Sequence, residues 1–438
     1  MAADSQLSNR STGRSTNRSA QAKAFYPPKQ IPLMARLVQS ISYILARILY
    51  KAKLSVSEES VAKVRAIDSD TRVVLVCNHP TMEDGMTLFV LSARIGELFH
   101  YVVAYEAFEG LMGWFIQRLG CYSIRRGVGD RTSISQTLTL LKQPSCRLVI
   151  FPEGGCSYQN DTIMPFRPGA IQLPMSALAQ MAKKKSLEPV PDVLVVPVSL
   201  KYRYQQPMRQ VIETTLSRLE ERLNITSDVS LDGNTKERNY LRLRRVANQV
   251  ILKIEQEAGL ESKDELNWNQ RIDRLKQIFI EKCEAALEIE PNLNMPMRER
   301  VYRVQALLDD SEPTEVEKTA RTELLGPNKI SREEVFWDTV RLLNFDAVYD
   351  GYVAEAPTPE RFLDTLTRLE REVFHLEHAQ PKAPRKACFY IGDPINLKDY
   401  LDDYQRDRTA TIDQLSDRLR NIMQRNLDKM SRSATEVV

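Results

Sequence analysis

The sequence lacks several features that would assign it to a common class of protein. None of its six cysteines forms a CxxC pair and no secretory signal precedes them, so we expect reduced thiols in an intracellular compartment. No apolar stretch reaches the roughly 18 uncharged residues of a membrane-spanning helix, which predicts a chain that does not cross a bilayer. The 61 basic and 58 acidic side chains nearly balance, which gives no reason to expect nucleic acid as a partner.

The 438-residue chain is long enough for two units, or for one domain with a large insertion. Residues 1–30 are rich in serine and arginine and poor in acid, which predicts a disordered arm. An organellar transit peptide has a similar composition, although a plain tail is the preferred interpretation. Residues 31–54 repeat apolar side chains at helical spacing with basic residues between them. This pattern fits a helix on anionic lipid and a helix packed on the core equally well.

A strand-to-helix junction carries the first candidate site. Residues 72–77 are apolar and β-branched, which predicts a buried strand, and Pro80 suits the first position of a following helix. His79 and Asp84 can meet only if the histidine lies in the extended segment before the helix. The carboxylate would then hold one ring nitrogen and leave the other as a general base. A carboxylate that stabilises the helix N-terminus explains Asp84 as well.

Strand and helix patterns alternate from residue 72 to residue 204. Arg125 and Arg126 follow one predicted strand, where guanidinium groups suit phosphate, although surface arginines are ordinary. Gly154 and Gly155 follow another, where they let the backbone approach a ligand or simply form a turn. The alternation predicts an α/β fold with a mostly parallel sheet and flanking helices over 55–204.

The pattern becomes almost wholly helical over 205–385, which predicts a large, mainly helical insertion, referred to below as the insertion. His375 and His378 lie three apart on a predicted helix, yet no third ligand is evident, so no metal site is predicted. Residues 386–438 return to a strand followed by helices. We interpret them as the closing strand and C-terminal helices of the α/β core.

Four short blocks occur in the order found in the glycerolipid acyltransferases, and the chain resembles this family. The blocks are Asn78-His79 with Asp84, which matches NHxxxxD; Gly120, Ile124 and Arg126; Phe151-Pro152-Glu153-Gly154; and Val196-Pro197-Val198-Ser199. Each lies at the C-terminal end of a predicted strand, and the last of these strands is predicted over 193–200. The resemblance covers about 31–204 and also 386–425, and the insertion has no counterpart in small members of the family.

One departure concerns the third block, which the family often continues with threonine and arginine. Gly155 and Cys156 stand at those two places, so the customary phosphate-binding arginine is missing. Arg126, Arg125 or Arg167 could supply the charge, or the acceptor is not a simple phosphate monoester.

The resemblance implies direct acyl transfer from acyl-CoA or an acyl carrier protein to the hydroxyl of glycerol 3-phosphate or a lysophospholipid. His79 would be the general base and Asp84 would orient it. Glu153 and the amides of Gly154 and Gly155 would position the acceptor, Arg126 would bind its phosphate, and the strand around Pro197 would bound the acyl thioester. No GxSxG motif is present, so an acyl-serine intermediate is not expected, and no metal or cofactor is implied.

Two alternatives remain open from the sequence. The acceptor could be a lipid alcohol without phosphate, or the chain could be a membrane-associated scaffold without activity. The expected location is cytoplasmic and peripheral on a membrane, with an organellar role for residues 1–30 as an option. The sequence does not indicate an oligomeric state.

Overall fold

A sheet of eight strands runs through the part of the chain that the structure describes, and helices cover both of its faces. The computed structural model describes residues 25–184, 189–226, 235–261, 266–310, 324–326, 329–346 and 348–432. The strands are β1 (Ala52–Val56), β2 (Arg72–Cys77), β3 (His100–Ala104), β4 (Cys121–Ile124), β5 (Arg147–Ile150), β6 (Val193–Tyr204), β7 (Leu324–Leu325), β8 (Ile330–Ser331), β9 (Arg385–Ile391) and β10 (Ile395–Asn396). The order in the large sheet is β1-β9-β6-β2-β5-β3-β4, with β10 also paired to β6, whereas β7 and β8 form a separate hairpin.

Helices alternate with the strands along the chain as far as β6. They are α1 (Pro32–Leu49), α2 (Glu58–Arg65), α3 (Asp84–Ile95), α4 (Gly110–Arg118), α5 (Arg131–Lys142), α6 (Gly169–Ala182), α7 (Arg209–Arg222), α8 (Thr235–Glu257), α9 (Trp268–Ala286), α10 (Met297–Asp310), α11 (Arg332–Asp346), α12 (Tyr352–Glu355), α13 (Pro359–Phe374), α14 (Leu401–Arg406) and α15 (Arg408–Arg432). Short 3-10 helices occupy Tyr105–Phe108 and Leu397–Tyr400.

Strand β2 lies inside the sheet and pairs in parallel with β5 and β6. Its side chains alternate between the two hydrophobic cores: Val73 and Leu75 pack with α1 and α3, whereas Val74 and Val76 pack with α5, α6 and α15. The antiparallel pairs in this sheet are those of β6 with β9 and of β6 with β10. The predicted α/β class with a mostly parallel sheet is therefore confirmed.

The helix after β2 begins later than predicted. Pro80 is not its first residue, because the chain makes a turn over 81–83 and α3 starts at Asp84. Asp84 accepts hydrogen bonds from the backbone N–H and hydroxyl of Thr81, at 2.9 and 2.8 Å, and these bonds stabilise the turn. His79 consequently lies in extended chain before the helix, as its predicted contact with Asp84 required.

The N-terminal predictions need two corrections. Residues 1–24 lie outside the described residues, but residues 25–30 are ordered: the Tyr26 backbone N–H donates to Ser123 Oγ and its carbonyl accepts from the Ser123 N–H. The predicted helix over 31–54 ends at Leu49. Lys51 takes a positive φ, and the chain then enters β1, which pairs with β9.

Strand β6 continues past its predicted end to Tyr204, so the fourth block lies within the strand and not at its C-terminal end. Pro197 is tolerated there because its carbonyl accepts from the Gly392 N–H, at the turn between β9 and β10. In a strand the N–H and C=O of one residue point the same way, so the donor that proline lacks would face this turn and not a continuous neighbouring strand.

The insertion is mainly helical where it is described and forms hydrophobic cores of its own. One core joins α8 to α11, and a second joins α7, α8, α12 and α13. His375 and His378 do not share a helix, because α13 ends at Phe374 and His375 adopts a left-handed conformation. No helix among the described residues is both long and apolar enough to cross a membrane.

Candidate active site

His79 and Asp84 meet at the C-terminal end of β2. The distance between His79 Nδ1 and Asp84 Oδ2 is 2.8 Å. A carboxylate only accepts hydrogen bonds, so this contact favours the tautomer with the proton on Nδ1 and leaves Nε2 as the acceptor. The histidine side chain is 17% exposed, whereas the aspartate is fully buried. Solvent and a substrate can therefore reach the imidazole but not the group that orients it.

Both oxygens of Asp84 are fixed from several directions. Oδ2 accepts from His79 and from the Thr81 N–H, while Oδ1 accepts from the Thr81 hydroxyl and from the Tyr202 hydroxyl at 2.8 Å. Tyr202 lies on β6, and its oxygen is also 3.2 Å from Thr87 Oγ1. Such a network compensates the burial of a carboxylate and prevents it from rotating.

The backbone of His79 is held by the loop after β5. Glu153 Oε1 accepts from the His79 N–H at 3.1 Å, and the His79 carbonyl accepts from the Ser157 N–H at 2.8 Å. The imidazole also stacks on the Phe151 ring, with 4.2 Å between ring centroids. The first and third sequence blocks thus form one structural unit.

Glu153 is buried, with 1% of its surface exposed. Burial raises its pKa to about 7, although the hydrogen bond from His79 and the charge of Arg298 act in the opposite direction. Its observed contact is with the backbone of the histidine. The prediction that Glu153 also positions the acceptor is not tested by this contact.

The glycines of the third block bring the chain close to arginine and tyrosine side chains. Gly154 has a φ of +70°, and a Cβ there would collide with the guanidinium of Arg167. A Cβ on Gly155 would collide with the hydroxyl of Tyr302. Larger residues at these two positions would displace both neighbours.

The structure brings the predicted arginines to one region. The guanidinium carbons of Arg126 and Arg167 lie 4.7 and 4.9 Å from the centroid of the Tyr302 ring. Arg125 and Arg126 line a small pocket together with Tyr302. Burial lowers the pKa of Arg167, which also lies close enough to feel the charges of Arg126 and Arg298.

The structure also places two other positions that the sequence singled out, Pro197 and Cys156. Pro197 is buried within β6, in register with Val76 of β2. Cys156 carries a thiol whose pKa burial raises well above its ordinary value. Its place in the chain is the one where the family resemblance would put a phosphate-binding arginine.

The sequence analysis assigned no role to several residues that contribute to this site. Asn78 bonds both the N–H and the carbonyl of Leu200, at 2.7 and 2.9 Å, and so ties the end of β2 to β6. Tyr202 follows two residues later on the same strand. Arg298 and Tyr302 belong to α10, far along the chain, and carried no local motif. For Asn78 the signal was its place directly before His79.

Residues 55–201 match the family model described as Acyltransferase. The matched segment begins in β1, ends within β6, and includes His79, Asp84, Arg126 and Glu153. No curated protein matches the chain.

Proposed function

We propose that this protein, which belongs to the glycerolipid acyltransferase family through residues 55–201, transfers a fatty acyl group from a thioester to the hydroxyl of a phosphate-bearing lipid precursor. Glycerol 3-phosphate or a lysophospholipid is the acceptor, and acyl-CoA or an acyl carrier protein is the donor. The observation that carries the proposal is the 2.8 Å contact between His79 Nδ1 and the buried Asp84.

The chemistry follows from the orientation of the imidazole. His79 Nε2 removes the proton of the acceptor hydroxyl as that oxygen attacks the thioester carbonyl carbon. The new C–O bond forms, the C–S bond breaks, and the departing thiolate takes the proton back from Nε2. Asp84 stabilises the imidazolium between these two transfers. General bases of this kind contribute about 10² to 10⁴ in rate.

The surrounding charges support a phosphate-bearing acceptor. Arg126 and Arg167 lie on either side of the glycine turn in the sequence and both approach Tyr302 in space. Guanidinium groups bind phosphate through paired N–H donors. An alcohol without charge would offer these arginines no anionic group to bind.

We also place the protein at a membrane surface. Helix α1 exposes large apolar residues on the face opposite its buried one: Leu33, Leu37 and Ile48 are 83%, 66% and 70% exposed. The Ile31 N–H, directly before α1, donates a hydrogen bond to the carbonyl of Arg118 at the end of α4. On α4, Leu111 is 88% exposed. Apolar side chains next to the exposed cations Arg36 and Arg47 fit anionic lipid.

A thioester-release assay over a panel of acceptors tests the proposal. The panel comprises glycerol 3-phosphate, lysophosphatidic acid, a larger lysophospholipid and a sterol, each with acyl-CoA and with acyl carrier protein. We expect release and acylated product with a phosphate-bearing acceptor, and less than a few per cent of that activity in His79→Ala. His378→Ala, which alters a half-exposed histidine far along the chain, should retain full activity.

Other outcomes separate the alternatives. If product forms only from an uncharged alcohol, the acceptor is a lipid alcohol without phosphate and not a phosphate-bearing lipid precursor. Absence of any release that depends on His79 would favour a scaffold.

A further inference from the structure

We infer that Arg298, which the insertion carries, completes the acceptor's phosphate site and takes the place of the arginine absent at Cys156. This inference rests on the proposed function and adds a binding residue that lies outside the segment matching the family. It is carried by the position of α10, by the contacts of Arg298 and by donors that lack an acceptor.

Helix α10 lies across the loops of the second and third blocks. Gly127, directly after Arg126, has a φ of +75°, and a Cβ there would collide with the main chain at Tyr302 and Arg303. Gly155 makes an equally close approach to the Tyr302 hydroxyl. The insertion therefore closes over the loops that follow β4 and β5.

Arg298 is buried and points at the third block. Its Nη1 donates to the carbonyl of Gly155 at 3.2 Å, and its Nε pairs with Asp346 at 2.7 Å. Its charge also acts on Glu153, which in turn bonds the backbone of His79. The guanidinium thus lies against the peptide that joins Gly155 to Cys156, in the loop whose Glu153 bonds the backbone of His79.

Three guanidinium groups in this region have buried donors without an acceptor among the described residues: Arg126 Nε, Arg167 Nη2 and Arg298 Nη2. An unsatisfied buried donor is costly, and more so on a charged group. Each arginine already faces one acid, at 3.5 Å for Glu106, 2.7 Å for Glu299 and 2.7 Å for Asp346. A phosphate brings several acceptor oxygens and would satisfy the donors that these single carboxylates leave unbonded.

Tyr302 marks where this anion binds. Its ring is the common neighbour of Arg126 and Arg167, and its hydroxyl approaches Gly155. We assign the phosphate to the acceptor and not to the donor, because Arg298 adjoins the loop that holds His79, where the acceptor hydroxyl must lie. Coenzyme A also carries phosphate, so the test includes it.

Titration calorimetry of the full chain in the His79→Ala background measures binding without turnover. We expect Arg298→Ala to weaken the binding of glycerol 3-phosphate by about 10- to 100-fold, which corresponds to the loss of one or two charge-assisted hydrogen bonds. Arg298→Lys, which keeps the charge and can maintain the contact with Asp346, should lose less. Glycerol, which lacks the phosphate, should bind no better to the protein that retains Arg298 than to either Arg298 variant.

Arg303→Ala is the matched control, because Arg303 lies on the same helix but bonds the Glu290 carbonyl near the surface. Equal weakening by Arg303→Ala, or unchanged binding in both Arg298 variants, would overturn the inference. So would a selective loss of coenzyme A binding. In turnover, Arg298→Ala should raise KM for the acceptor more than KM for the donor. If binding behaves as expected but no acyl transfer occurs, the proposed function fails and the phosphate site stands.

Discussion

At the scale of single residues, the site separates a fixed carboxylate from an accessible imidazole. Asp84 receives four hydrogen bonds from three residues, whereas His79 is held through its backbone and one ring nitrogen. The aspartate therefore cannot turn away from the ring. This arrangement gives His79 one proton-accepting nitrogen in a defined direction, which is what proton transfer from a hydroxyl requires.

Glu153 gives the site a dependence on pH that stability measurements can detect. Its folded pKa of about 7 lies above its ordinary value, so the folded state binds more protons than the unfolded state between about pH 4.5 and 7. Stability is therefore lost as pH rises through that window. We expect the free energy of unfolding of Glu153→Gln to rise by up to about 2–3 kcal/mol relative to that of the native chain as the pH increases from 5 to 8.

Chemical denaturation at about pH 5 and about pH 8 measures the difference in free energy of unfolding between Glu153→Gln and the native chain. Glu59→Gln, which changes an exposed glutamate, serves as the control and should show no such gain. A constant difference between Glu153→Gln and the native chain across the range would contradict the assigned pKa.

At the scale of elements, α1 has one buried face and an opposite face of exposed large apolar side chains. Ala35, Ser42 and Ala46 are buried, and Gln39 bonds Ser92 Oγ of α3 at 2.9 Å. The two interpretations of residues 31–54 are thus compatible, since one face packs on the core and the opposite face is free for lipid.

Liposome flotation tests the lipid face. We expect Leu37→Glu combined with Leu111→Glu to reduce binding to anionic vesicles at least about tenfold, because each change removes an apolar group worth about 1.5–3 kcal/mol when buried. Leu293→Glu adds a charge at an equally exposed leucine in the insertion and should float like the native chain. Equal flotation of all three proteins would exclude this face as the lipid contact.

Most strands could be predicted because short apolar runs identify them. The start of α3 could not, since the bonds from Thr81 to Asp84 outweigh the preference of Pro80 for a first helical position. The extent of β6 was also missed, because Lys201 and Arg203 interrupt its apolar pattern. Lys201 is buried all the same through its ion pair with Asp161, a contact that no local pattern contains.

The contact between His79 and Asp84 was predictable from local spacing, but the rest of the site was not. Tyr202 lies 118 positions from Asp84, and Asn160 bonds Asp364 across 204 positions. Contacts at such separations depend on how the sheet is ordered and on how the insertion packs. The sequence alone therefore predicts the chemistry of the site better than it predicts the substrate-binding surface.

At the scale of the whole molecule, the insertion contributes to the region around His79 and Asp84. Arg368 of α13 donates to the carbonyls of Ser157 and Tyr158 at 2.8 and 3.0 Å, and Asp364 accepts from the Asn160 N–H at 3.0 Å. Ser157 also bonds the His79 carbonyl. The segment that follows the third block is therefore fixed between the α/β core and the insertion.

A double-mutant cycle on acyl transfer tests the central claim most directly, because it asks whether His79 and Asp84 act as one unit. We predict that His79→Ala and Asp84→Ala each lower kcat by about 10² to 10⁴, and that the double variant loses no more than the more damaging single change. Losses that multiply in the double variant, or near-native turnover in His79→Ala, would contradict the account.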